Sequence, residues 1–178
     1  MKIFKALITV LSFVIISNIS FGQDTIYWSP SYKLKWEDFQ GKPVIPSKYG
    51  AVSNPIIKYS LSANEDSYNV KVLCFFIKSR SWSQFKNSDT LLMHEQGHFD
   101  IAEIFARKLN KSIGEYQFNK NTFQKDLDAI YKSVVDEKEK YQQQYDDETD
   151  YSRNKSKQEE WFKKIESELK QNKSWAGY

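Results

Sequence analysis

A single cysteine, Cys74, serves all 178 residues, and one thiol cannot close an internal disulfide. It falls in an apolar strand pattern and reads as a small buried hydrophobe. An excess of one charge sign is missing too: 26 lysines and arginines face 23 aspartates and glutamates. Such balance gives no reason to expect nucleic acid as a partner. Long apolar runs are also absent, apart from the stretch 6–19 near the start. That stretch is too short and too poorly flanked to span a bilayer. Behind Lys2 and Lys5, and ahead of the small residues Ser20 and Gly22, it has the build of a signal peptide over 1–22. No cysteine follows it to take a lipid. The expectation is an exported protein, periplasmic or secreted, with no stable membrane insertion after cleavage before Gln23. Removing Lys2 and Lys5 leaves 24 basic against 23 acidic side chains, near neutrality. Internal repeats and low-complexity segments are lacking, so 23–178 reads as one domain.

Aromatic residues, by contrast, are plentiful at 16%, enough to build a core without covalent staples. Residues 24–50 carry Pro30, Gly41, Pro43, Pro46 and Gly50, which break any periodicity. Alternation over 56–63 and again over 68–78, with the polar turn Asn64-Glu65-Asp66-Ser67 between, predicts a β-hairpin. Val70, Val72, Cys74 and Phe76 share one face of its second strand and Leu73, Phe75 and Ile77 the other, so its centre should be covered on both sides. The period then changes to helical. Ser88 or Asp89 can cap a helix to about Lys111, ending near Gly114. Its inner face would hold Leu91, His94, His98, Ile101, Ala102, Phe105 and Leu109. A second helix is predicted over about 122–145, ended by the acidic stretch 146–154, and a third over about 155–171. This order defines an α+β fold: a small N-terminal antiparallel sheet, then a metal-binding helix and two further helices. Trp28, Trp36, Trp82 and Trp161 are expected to anchor the core, and Arg80, Arg107 and Arg153 to be solvated or paired.

The only two histidines stand four residues apart with a glutamate between them, His94-Glu95-Gln96-Gly97-His98. A four-residue step on a helix returns nearly to the same side, so both imidazoles can reach one ion. Glu95 is placed beside them to take a proton from an activated water, the mechanical content of the His-Glu-x-x-His pattern of zinc peptidases. The expected cofactor is Zn2+.

The segment Leu92-Met93-His94-Glu95-Gln96-Gly97-His98-Phe99-Asp100-Ile101-Ala102-Glu103 resembles a family of predicted secreted zinc-dependent proteases, the domain of unknown function 922. Leu34-Lys35-Trp36-Glu37-Asp38-Phe39-Gln40-Gly41-Lys42-Pro43, Ser81-Trp82, Tyr145-Asp146-Asp147-Glu148-Thr149 and Gln158 to Trp161 resemble it as well. The resemblance implies a zincin-like fold and a peptidase activity. It also exposes a departure. The family's downstream segment runs Tyr-Asp-x-Glu-Thr-x-His-Gly, and its histidine would make a third metal ligand. Here that place holds Tyr151, between Asp150 and Ser152.

A catalytic zinc takes three protein ligands and a water, so an oxygen donor must complete the set. Asp100 and Glu103 lie about 240° and 180° around the helix from His94, and are read as surface charges or as partners of another element. Tyr151 holds the family position, and Asp150, Glu148 and Asp147 are alternatives. With both histidines engaged as ligands, a tyrosine is the economical donor to a developing oxyanion. Tyr145 and Tyr151 are nearest, and Tyr145 remains if Tyr151 binds metal. The expected sites are thus metal at His94, His98 and Tyr151, and catalysis by Glu95 and Tyr145.

The expected activity is hydrolysis of peptide or protein substrates, with an extended substrate adding to an edge of the 68–78 hairpin. The competing readings are a catalytically impaired zincin-like binding protein, suggested by Tyr151, and a metallohydrolase cutting a different amide such as a cell-wall linkage.

Overall fold

The computed structural model describes residues 24–63 and 67–177. The segment 1–22, read above as a signal peptide, and the turn residues 64–66 lie outside the described residues. Five short or medium strands precede three long helices: β1 (Thr25–Tyr27), β2 (Ala51–Val52), β3 (Pro55–Ala63), β4 (Tyr68–Ile77), β5 (Trp82–Ser83), α1 (Asp89–Gly114), α2 (Phe123–Thr149) and α3 (Lys155–Gln171). The fold is α+β, as the order of periodicities predicts.

One antiparallel sheet has the order β1-β4-β3, and a second pairs β2 with β5. The hairpin register runs from Pro55 opposite Phe76 to Ala63 opposite Tyr68. Val72, Cys74 and Phe76 turn inward and are buried, while on the opposite face Phe75 is buried beside its cross-strand neighbour Tyr27, at 5.9 Å between ring centroids. The outer face is shielded at Phe75 alone, with Leu73 and Ile77 half-buried, so the cover expected on both sides of the strand's centre is reached at that one residue. The strand's position also differs from expectation: β4 is the central strand, flanked by β1 and β3. β1 itself lies in the stretch read as irregular, because three residues pairing across Thr25↔Ile77 carry no periodicity of their own.

Helix α1 begins where Ser88 accepts a hydrogen bond from the Leu91 amide, the N-cap that the sequence suggests. It lies in the middle of the molecule, with β3 and β4 against one side and α2 and α3 against the other. All residues from Phe99 to Arg107 are buried as a result. This overturns the surface reading of two of them. Asp100 is 8% exposed and accepts from the Trp28 indole N–H and the Gln96 amide. Glu103 is 3% exposed and holds Arg107 Nε at 2.8 Å. A helix with partners on all sides has no solvent face, and its charges must be paired instead.

The N-terminal aromatic segment packs as expected. Trp36 and Phe39 contact each other at 5.0 Å, and Phe39 meets Phe76 at 5.2 Å. Gly41 follows because the chain passes so close to Ser79 and Ser81 that a Cβ would sit 2.8 and 2.9 Å from their carbonyl oxygens. No helix among the described residues is long and apolar enough to cross a membrane.

Candidate metal centre

Helix α1 delivers both histidines to the floor of a cavity of about 380 Å3. One wall is the stretch 49–55, made of β2 and its continuation into β3; the other is α2, through Lys138, Glu139, Gln142, Gln143 and Asp146. His94 and Glu95 are buried, at 2% and 3% exposure, and His98 is nearly so. The Glu95 carboxylate lines the cavity and has no hydrogen-bond or ion-pair partner among the described residues.

The third donor is Asp146. Its Oδ1 stands 3.0 Å from His94 Nε2 and 3.0 Å from His98 Nε2, and the two Nε2 atoms are 3.2 Å apart. Sequence reasoning missed this residue because it ended the second helix at 145. The helix runs to Thr149, which puts Asp146 one turn beyond Gln142 on the face turned to α1. Two signals pointed to it: the i, i+4 spacing with Gln142, and its place beside Tyr145 in the family-like segment.

The far nitrogens of both rings are engaged as well. His94 Nδ1 meets Gln158 Oε1 of α3 at 2.8 Å, and His98 Nδ1 meets Gln142 Oε1 of α2. The Tyr145 ring stacks on His94 with centroids 4.5 Å apart and planes 18° from parallel. Gly97 makes this possible: a Cβ there would lie 2.3 Å from the Tyr145 hydroxyl oxygen.

The two tyrosines do not take the places the sequence suggested. Tyr145 is wholly buried, and its hydroxyl donates to the His94 carbonyl at 3.2 Å rather than facing the cavity. It supports a ring and does not offer a proton to substrate. Tyr151 lines the cavity, but its hydroxyl is bound by Lys48 Nζ at 3.3 Å, and it is Asp146 that the structure brings to the histidine pair. Asp150 is paired with Arg153, Glu148 accepts from the Trp161 indole, and Asp147 accepts from Gln143.

Electrostatics tie the cluster together. Burial opposes the charged form of Asp146, yet the hydrogen bonds from His94 and His98 outweigh it and hold the carboxyl well below the usual range. Burial likewise opposes protonation of His98, but its bond to Asp146 and the nearby Glu95 charge leave its pKa above the ordinary value.

The donors fit a metal. Two imidazole nitrogens and a carboxylate oxygen are a usual zinc set, and ligands around a tetrahedral zinc stand about 3.3 Å apart, close to the separations here. With Nδ1 of each ring facing an amide oxygen, both Nε2 atoms and an anionic oxygen converge on one point. Three acceptors at that range repel unless a proton or a cation lies among them.

Fold and site together define an α+β protein with a helix-borne cluster of two histidines and an aspartate able to hold a cation. Residues 78–153 match the family described as bacterial protein of unknown function, DUF922, which is the family that the sequence resembles. The matched segment contains His94, Glu95, His98 and Asp146 and ends two residues after Tyr151. No curated protein matches the chain, and neither does any solved structure.

Proposed function

We propose that this protein is a zinc-dependent peptidase working outside the cytoplasm. The observation that carries this reading is the convergence of His94 Nε2, His98 Nε2 and Asp146 Oδ1 beside an unpartnered glutamate in an open cavity. The cluster explains the two Nε2 lone pairs, and a purely structural ion would leave Glu95 without a purpose. The apolar segment behind Lys2 and Lys5 supports export.

Zinc held by His94, His98 and Asp146 would supply a Lewis acid and make a nearby water more acidic. Glu95 accepts the proton of the attacking water and returns it to the leaving amine. Tyr151 is the oxyanion donor in place of Tyr145. Its hydroxyl accepts from Lys48 and keeps its own proton to give. The stretch 49–55 offers the substrate its main chain along the cavity wall, a role expected for the 68–78 hairpin, whose second strand is enclosed in the sheet. The departure at Tyr151 ceases to argue for a weakened site once Asp146 is the third donor.

Metal content of the purified protein tests the reading directly. About one zinc per chain is expected, lost in His94→Ala and Asp146→Ala but kept in Tyr151→Phe. Against a panel of unfolded peptides, Glu95→Gln should abolish cleavage with zinc retained. Tyr151→Phe should lower turnover about 10²-fold, the typical effect of losing one oxyanion donor. Zinc uptake with no hydrolysis of any peptide would favour the binding protein over the enzyme, and no uptake after zinc loading would remove both.

A further inference from the structure

Each histidine of the cluster is backed by a glutamine, and each glutamine is itself held at its other end. The donors and acceptors of these contacts constrain one another. Gln142 Nε2 donates to the main-chain carbonyl of His98 at 3.2 Å. A carbonyl has no proton to give, so the amide nitrogen faces it and the amide oxygen faces His98 Nδ1. On the other ring, Tyr145 gives its single hydroxyl proton to the main-chain carbonyl of His94. Toward Gln158 the phenol oxygen can then only accept, and it takes the Gln158 Nε2 proton. Gln158 therefore turns its oxygen to His94 Nδ1 at 2.8 Å. An amide oxygen only accepts, so in both rings Nδ1 must carry the hydrogen.

We infer that Gln142 and Gln158 are positioning residues that hold a hydrogen on Nδ1 of both histidines and leave both Nε2 atoms to the site, for a cation or, in its absence, for the hydrogen that Asp146 accepts. They rest on different helices, α2 and α3, and a carbonyl of the helix that bears the histidines orients Gln142 directly and Gln158 through the Tyr145 hydroxyl. The relay therefore also fixes how α2 and α3 sit against α1 at the cluster. Neutral amides are informative here. A carboxylate behind each ring would add negative charge to the Asp146 charge already present and blunt the electron-withdrawing power of a bound cation. Amides orient the rings without that addition.

This inference deepens the metallopeptidase reading, but its test separates the two. Long-range proton–nitrogen NMR spectra of the metal-free protein report which ring nitrogens carry hydrogen. Both rings should show hydrogen on Nδ1, with any second hydrogen on Nε2 turned to Asp146. Gln142→Leu, at a half-buried position that should tolerate the change, is expected to release His98 toward the Nε2–H form and to weaken zinc binding about 10–100-fold. Gln142→Glu, which still accepts from Nδ1, should keep the tautomer and recover most of the affinity. Gln158→Leu should do to His94 what Gln142→Leu does to His98, and the Gln142 pair decides the matter if the buried Gln158 variant fails to fold. An unchanged His98 tautomer and zinc affinity in Gln142→Leu would overturn the relay. Wild-type rings with hydrogen on Nε2 alone would overturn it too, even if zinc binds. Nδ1–H rings in a protein that takes up no zinc would leave the relay standing and remove the metallopeptidase.

Discussion

At the residue scale, Gly97 is the position where the metal motif is most constrained by something outside it. Its missing side chain leaves room for Tyr145, whose ring supports His94 and whose hydroxyl orients Gln158. Alanine in a helix interior normally gains up to about 1 kcal/mol over glycine. Here that gain meets an overpacking cost of about 1–3 kcal/mol, because Tyr145 is fully buried and bonded at its tip. Gly97→Ala should therefore lower unfolding stability by about 1–2 kcal/mol in urea titrations, and weaken zinc binding as the ring supporting His94 shifts. A stabilised variant would show that Tyr145 moves aside freely. The two histidines and Glu95 could be named from spacing alone, since i, i+4 is a local geometric rule. Asp146 could not, since its role depends on how a second helix is placed against the first, 52 residues away in sequence. The same limit explains Asp100 and Glu103: their angle from the histidines was right, but nothing local shows that another layer covers that side.

At the element scale, the turn from α2 to α3 is unusual. Asp150, Tyr151 and Ser152 all have positive φ, at 48°, 51° and 75°. Each L-residue held in the left-handed region costs roughly 1–2 kcal/mol, least for aspartate and asparagine. The turn closes α2 through the Tyr151 amide on the Asp146 carbonyl, and α3 begins at once with Asn154 capping Lys157. That reversal swings the Tyr151 ring against Tyr49, at 5.4 Å between centroids, and over the cavity. Ser152, with the largest of the three angles, sits where glycine is unstrained. Ser152→Gly should accordingly raise stability by about 1 kcal/mol, seen as a higher urea midpoint. A lower midpoint would mean that the serine side chain does more than tolerate the turn. The long helices and the hairpin were legible because each repeats its period several times. β1, β2 and β5 have three, two and two residues, too few for alternation to show, and they exist only through partners distant in sequence.

On the scale of the whole molecule, protons and a cation would compete for one cluster. Asp146 has a lowered pKa when folded, so its contribution is present above its ordinary 3.8 and is lost as pH falls through the folded value. His98 has a raised pKa, so its contribution is complete below 6.5 and is lost as pH rises through the folded value. Without metal, the pair helps most between those two limits and weakens on the alkaline side. Zinc bound as proposed would reverse the upper limit, because it needs unprotonated rings. In chelator, the stability difference between wild type and His98→Ala should shrink from about pH 6 to about pH 9, while the extra stability given by zinc should grow. Thermal melts across that range check both signs, and a difference that widens in chelator would refute the assignment of His98 to Asp146.

The spread of the cluster over three helices also has a temporal side. During synthesis or export, the chain passes the histidines and Glu95 first, with Asp146 and Gln158 following 52 and 64 residues behind His94. On the peptidase reading proposed above, a chain assembled in this order would stay inert until its last helices had emerged and docked. Its neighbours along an export route, and its own unfinished copies, would be spared while it was still being made.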